Sequence, residues 1–203
     1  MSGLRERKRE EKRRDLMFAA LRLFSEHGYD SVTVQQIADA ANVSHRTFFR
    51  YFGTKAEACF GFVAEGLERL RSSDDVLATI DAQIRAHATR VAKNTGFYAT
   101  QVRLTMEHPK LRAKREEVML TIDDAVAEAL LREHPALDPV VARLAASLPT
   151  GVVTATMEAW CAAGAPAPAP DFEPPLAAAR TAMELLLRYS AAEPFGARPM
   201  TDL

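Results

Sequence analysis

The stretch Thr33–Tyr51, TVQQIADAANVSHRTFFRY, decides how the rest of the chain is read. Thr33 followed three residues later by Gln36 is a capping box, which gives a helix a defined start. Val34, Ile37 and Ala38 then share one helical face. The segment is short because Ala40-Ala41-Asn42 breaks it, and Asn is the non-glycine residue that best tolerates a left-handed backbone. Ser44 stands where it can cap a second helix running to about Phe52. Two helices joined by so tight a turn form a helix-turn-helix, whose second helix enters the major groove of DNA.

The 3.6-residue period divides that second helix into two faces. Phe48 and Phe52, with Val43 nearby, form the inward face. His45, Arg46, Phe49 and Arg50 fall on the opposite one. A bundle would not choose two arginines and a histidine for its interior. The face is either a solvated surface or a groove reader: Arg bonds guanine O6 and N7, and an aromatic edge meets a thymine methyl. Thr47 and Tyr51 lie at the margins, where hydroxyls reach phosphates. Thr54 with Glu57 reads as a second capping box, placing Lys55 in the first turn of the next helix, where a phosphate is favoured.

Charge is distributed unevenly around this element. Formal net charge is −1 over 203 residues, which excludes a generally basic nucleic-acid coat. Residues 1–60 nevertheless hold eleven Lys and Arg against eight Asp and Glu, so the excess of positive charge sits in the N-terminal segment. Within it, residues 1–14 carry seven basic and three acidic side chains. They read as a solvated tail, or as an arm that follows phosphates or enters the minor groove and orders on DNA. Cys59 and Cys161 form no metal-ligand pattern, so neither a disulfide nor a zinc site is expected. No signal peptide or membrane span is expected, and the chain reads as cytoplasmic.

The remaining chain reads as all-α. The expected division is a basic arm over 1–14, a helix-turn-helix domain over 15–60, a helical ligand-binding and dimerisation domain over 61–190, and a flexible tail over 191–203. Leu16, Ala20, Leu23 and Phe24 make a helical stripe that Gly28 ends. A fourth helix to about Arg71, carrying Gly61 and Gly66, is expected to be the covalent route out of the head. Further helices are expected over 75–94, 97–107, 110–134 and 138–163, the last kinked at Pro149. GAPAPAPDFEPP, residues 164–175, reads as an extended connector, with a final helix over 176–189.

TVQQIADAANVSHRTFFRYFGTKAEA, residues 33–58, resembles the TetR family of one-component regulators. The resemblance implies DNA contacts from Ser44, His45, Arg46, Thr47, Phe49, Arg50, Tyr51 and Lys55, and a phosphate contact from Thr33. Phe49 stands where many relatives have Tyr, and Asn42 where Gly is usual. More weakly, Gln101–Leu104, Glu107–Pro109 and Leu111 resemble an actinobacterial subgroup with an acyl-CoA-like ligand domain.

The resemblance further implies a homodimer paired through its last two helices, which would place two heads on successive turns of a palindromic double-stranded operator. A small-molecule effector, an acyl-CoA or another apolar ligand, is expected among the central helices. The candidate ligand-binding residues are Phe62, His87, Phe97, Tyr98, Arg103, Met106, Met119, Met157 and Trp160. Each is equally a core residue by chemistry, since Met and aromatic residues at helical spacing usually pack. Arg103 is the informative one: turned inward it needs an anion, turned outward it is a surface arginine. No cofactor, metal or catalytic residue is expected, because the chain has no phosphate-binding glycine loop, H-E-x-x-H or G-x-S-x-G. A helical protein-interaction adaptor and an activator without a small-molecule ligand are the alternatives.

Overall fold

The computed structural model describes residues 2–61, 63–165 and 167–192. Among them there is no strand, in agreement with the all-α reading. The helices are α1 (Ser2–His27), α2 (Val34–Ala40), α3 (His45–Tyr51), α4 (Val63–Arg71), α5 (Val76–Lys93), α6 (Thr95–Glu107), α7 (Pro109–Glu133), α8 (Pro139–Ala162) and α9 (Glu173–Ala192). The ligand candidate Phe62 and the tail from residue 193 lie outside the described residues.

The chain groups into two compact units. The first takes residues 1–64 and 94–118, so α6 and the start of α7 fold with the helix-turn-helix. The chain therefore passes between the units three times, and the fourth helix is not the only covalent route out of the head. The second unit takes residues 65–93 and 119–203.

In the first unit α1 is the spine. Leu16, Leu21 and Phe24 are buried against Ile37, Phe48 and Leu111. Burying a Leu or Phe side chain fully is worth about 1.5–3 kcal/mol, so this small cluster supplies much of the unit's cohesion. α1 packs on α2, on α6 and on a single 3-10 turn over Glu57–Phe60. That turn replaces the expected start of the fourth helix. Glu57 N–H donates to Thr54 Oγ1 at 3.3 Å, but the Glu57 carboxylate accepts from Gly53 N–H at 2.7 Å, one residue earlier than a capping box requires. Gly61 then lies in the turn before α4, where a Cβ would stand 2.6 Å from Met17 Sδ. The close approach of α1 requires the missing side chain.

α1 also extends further than expected. Instead of beginning at Asp15 it runs from Ser2. The charged run contains no proline, and Lys, Arg and Glu are good helix formers. Arg7 and Glu11 add an i,i+4 pair at 3.9 Å, worth a few tenths of a kcal/mol.

In the second unit α8 and α9 pack along each other and α5 packs on both. Val76, Ile80, Ile84, Val126, Leu130, Met157, Trp160, Phe172 and Met183 are buried. Asp138 caps α8 through Val140 N–H at 2.8 Å, and the helix continues through Pro149. α9 starts at Glu173, three residues before the expected Leu176. Pro174 and Pro175 fall in its first turn, where the missing N–H groups have no helical acceptor anyway. Thr150 Oγ1 donates to Asp123 Oδ1 at 2.6 Å, tying α8 to α7. α8 is long and apolar enough to cross a membrane by length and composition, although Arg143 and Glu158 interrupt it.

Candidate nucleic-acid interface

The helix-turn-helix is built from local contacts that the sequence specifies. Thr33 Oγ1 accepts from Gln36 N–H at 3.2 Å, while Gln36 Oε1 accepts from Thr33 N–H at 2.8 Å. The box is complete and fixes where α2 begins. At the other end Asn42 has φ +52°, with Asn42 N–H donating to Asp39 O at 3.0 Å and Val43 N–H to Ala38 O at 2.9 Å. These two bonds are a Schellman motif closed on an asparagine. Ser44 Oγ then accepts from Thr47 N–H at 3.1 Å and caps α3.

The faces of α3 divide as the period demands. Phe48 and Phe52 are buried. His45, Arg46, Phe49 and Arg50 are exposed, Phe49 to 47%. An aromatic ring is thus left open to solvent between two arginines. The His45 ring lies 4.9 Å edge-on from Phe49, and the Arg50 guanidinium lies 5.4 Å from the Tyr51 ring. Tyr51 and Thr47 are half-buried at the margins. The structure thus brings Ser44, His45, Arg46, Thr47, Phe49, Arg50 and Tyr51 onto one short helix and its cap. The Thr33 hydroxyl is exposed but also donates to Gln36 Oε1 at 3.0 Å, so a phosphate there competes with the capping box.

Lys55 is placed differently from its expected role. Its Nζ donates to Tyr29 O at 2.6 Å and Val32 O at 2.8 Å, with Asp30 O at 3.4 Å, and lies 4.3 Å over the Tyr29 ring. An ammonium has three donors, and three carbonyls surround this one. Desolvation lowers its pKa from the ordinary lysine value. Lys55 is a clasp between the loop before α2 and the loop after α3.

A second clasp has no counterpart in the sequence reading. The Asp30 carboxylate meets His108 Nε2 at 3.1 Å and Lys110 Nζ at 2.9 Å, joining the α1–α2 loop to the α6–α7 turn. Hydrogen bonds from Lys110 and His108 hold the Asp30 carboxyl below its usual range. Tyr29 stacks between His108, at 4.5 Å, and Phe24, at 5.0 Å. Residues 78 and 80 positions apart carry no local signal of such a contact. Nearby, burial would raise the Glu57 carboxyl, but the Gly53 N–H and Lys114 hold it below its ordinary value.

The candidate ligand residues are divided between the two units. Phe97, Tyr98, Arg103 and Met106 belong to the first unit, and His87, Met119, Met157 and Trp160 to the second. Arg103 is exposed and reaches Ser25 Oγ at 3.5 Å, so it is the outward-facing arginine. Met106 is 38% exposed on the same helix. Phe97 stacks on Phe18 at 4.3 Å and Tyr98 is buried beside it, so both are packing residues of α6. In the second unit His87 is buried, its ring 5.6 Å edge-on from Phe172. Burial pushes the His87 imidazole down to about 4. Met157 and Trp160 are buried and Met119 is half-buried. Beside Phe172 runs a groove of about 420 Å³, with Ile84, Ala88 and Leu176 along it and Arg85 and Glu173 paired at 2.6 Å on its rim. Neither cysteine is in a disulfide; burial pushes the Cys59 thiol up to about 12, which leaves it inert. Among the described residues no cluster of His, Cys, Asp or Glu could hold a metal ion.

Comparison with known proteins agrees with this geometry. Residues 16–57 match the family model of bacterial regulatory proteins of the tetR family. The HTH-type transcriptional regulator TcmR of Streptomyces glaucescens is 51% identical over 55 residues, covering 27% of this chain and 24% of TcmR. The HTH-type transcriptional repressor AcnR of Corynebacterium diphtheriae is 26% identical over 126 residues, covering 60% of this chain and 64% of AcnR. The chain thus spans less than two thirds of the length of either regulator. A crystal structure of a TetR transcriptional regulator from Rhodococcus sp. RHA1 superposes with a TM-score of 0.50 at 20% identity, over 88% of this chain and 98% of that one, which supports the fold. The relatives are named as transcriptional regulators and not as enzymes. The head that α1, α2 and α3 build is thus similar to the DNA-binding domain of the tetR family of bacterial regulatory proteins.

Proposed function

We propose that the protein is a ligand-responsive transcriptional repressor that binds a palindromic operator as a homodimer. The observation that carries the reading is the exposed face of α3, with His45, Arg46, Phe49 and Arg50 open on a helix capped at its start and anchored by Phe48. Arg46 and Arg50 are the base readers, Phe49 contacts a thymine methyl, and Ser44, Thr47 and Tyr51 bind phosphates. The name of AcnR as a repressor supports the sign of regulation.

Dimerisation rests on the outer surfaces of the last two helices. Val140 and Leu144 on α8 are 64% and 53% exposed, and Leu185 and Tyr189 on α9 are 60% and 49% exposed. Large apolar side chains at this exposure on adjacent helices fit an isologous contact in which α8 and α9 meet their mates. The same contact accounts for the apolarity of α8 without a membrane, in keeping with a cytoplasmic protein.

The effector, an acyl-CoA or another small apolar ligand, binds in the second unit among His87, Met119, Met157 and Trp160. A buried imidazole in an apolar setting gives such a site one polar handle. A ligand favouring the dimer with its heads misplaced shifts the population off DNA. Selection of binding sites from random duplex, followed by release with candidate acyl compounds, tests the whole reading. A palindromic consensus bound by a dimer is expected. A monomer indifferent to duplex sequence would overturn it.

A further inference from the structure

We propose that the N-terminal half of α1 is a second DNA-binding surface, on which Lys8, Arg9 and Lys12 grip the phosphate backbone flanking the bases that α3 reads. The proposal rests on the reading of the head as a DNA-binding domain and adds to it a site outside the helix-turn-helix.

α1 does not stop at its first core residue. Leu16 is fully buried, yet the helix continues back to Ser2, a rod of roughly 20 Å at 1.5 Å per residue. Residues 7–12 are all exposed, so no apolar contact holds this stretch. Its root is fixed instead. Arg13 is half-buried and its Nη1 donates to Gly61 O at 3.2 Å, which aims the rod relative to the helix-turn-helix.

The rod and the end of α3 line one open groove of about 970 Å³, formed by Lys8, Arg9, Glu11, Lys12, Asp15, Arg50 and Tyr51. Four cations face two carboxylates there. Both carboxylates lie near cations of their own helix, Asp15 at 3.8 Å from Lys12 and Glu11 at 3.9 Å from Arg7. Arg50 and Tyr51 belong to the proposed DNA face, so a strand that follows α3 runs directly into this groove. The groove is wide and carries an excess of positive charge, which suits a phosphodiester chain.

The helical form of the segment also chooses between the two uses open to a basic arm. An α-helix is about 10–12 Å across and the B-DNA minor groove about 6 Å wide. An extended arm enters that groove; a rod does not. The rod instead lies along the phosphates, contributing affinity and register without reading sequence.

The test uses the full chain and its selected operator, in a short duplex trimmed to the base-read core and in one extended by a helical turn at each end. The combined variant Lys8→Ala, Arg9→Ala and Lys12→Ala is compared with wild type across a salt series. Wild type is expected to prefer the extended duplex. The variant is expected to lose that preference, to bind operator and random duplex about tenfold more weakly at moderate salt, and to show a log K against log salt slope shallower by about 2–3. Alanine is a good helix former, so helix content and melting should not change. Lys8→Arg with Lys12→Arg is expected to bind like wild type. Equal slopes and affinities for wild type and the alanine variant would overturn this surface alone. Wild type that bound no duplex at all would overturn the DNA-binding reading and this surface with it.

Discussion

Lys55 and Tyr29, 26 positions apart, are joined twice: the ammonium donates to the Tyr29 carbonyl at 2.6 Å and lies 4.3 Å above the Tyr29 ring. The bond closes the helix-turn-helix on itself, since Tyr29 precedes α2 and Lys55 follows α3. Lys55→Ala is expected to cost about 1 kcal/mol of stability in denaturant unfolding, because the part-buried carbonyls of Tyr29 and Val32 lose their donor. The salt slope of DNA binding should stay as in wild type. A slope shallower by about 0.9 would instead return Lys55 to the phosphates.

Arg46 and Arg50 should behave in the opposite way. Both are exposed and hold no place in the core. Arg46→Ala and Arg50→Ala are each expected to leave melting unchanged and to cost about 1–3 kcal/mol at the operator. Competition titrations against random duplex decide the role of each. A loss confined to the operator marks a base reader, and a uniform loss marks a phosphate contact.

Asn42 provides a test of the turn. At φ +52° it occupies the left-handed region, where a β-carbon costs roughly 1–2 kcal/mol unless the side chain is Asn or Asp. Asn42→Gly is expected to be nearly neutral and Asn42→Ala destabilising by about 1 kcal/mol. Equal stability of the alanine and glycine variants in urea would show that the turn relaxes.

His87 sets a pH dependence. Its folded pKa is lowered to about 4 from 6.5, so the unfolded chain binds the proton first on acidification. The neutral ring's contribution is fully present above pH 6.5 and is lost progressively as pH falls from there to about 4. The change is at most about 3 kcal/mol at 1.36 kcal/mol per pKa unit. His87→Leu should flatten this part of the stability profile. Parallel profiles for wild type and variant between pH 7 and 5 would contradict the buried neutral state.

Asp30 supplies a test at the α6–α7 turn. Asp30→Asn keeps the shape of the side chain but removes the charge that Lys110 and His108 share. Because the carboxylate is exposed, only a small loss of stability is expected at neutral pH. In wild type this contribution is present above the ordinary Asp pKa of 3.8 and fades as pH falls below it. Melting curves that for wild type and variant converge at strongly acidic pH, and separate slightly above it, are the expected result.

What could be read from the sequence was what local chemistry decides. The capping box of Thr33 and Gln36, the left-handed Asn42 and the Ser44 cap each involve partners no more than five residues apart, so their geometry follows from residue type and spacing. The division of α3 into Phe48 inward and Arg46, Phe49 and Arg50 outward follows from the helical period alone. The placements of Lys55, Arg103 and Asp30 did not follow from it. Lysine 55 could satisfy a phosphate or three carbonyls equally well, and only the return of the chain past Tyr29 and Val32 chose the carbonyls. Arg103 could face in or out, and the packing of α6 on α1 turned it to Ser25. A charge finds its partner through space, across 78 residues in the case of Asp30 and His108, and no period in the chain encodes that distance.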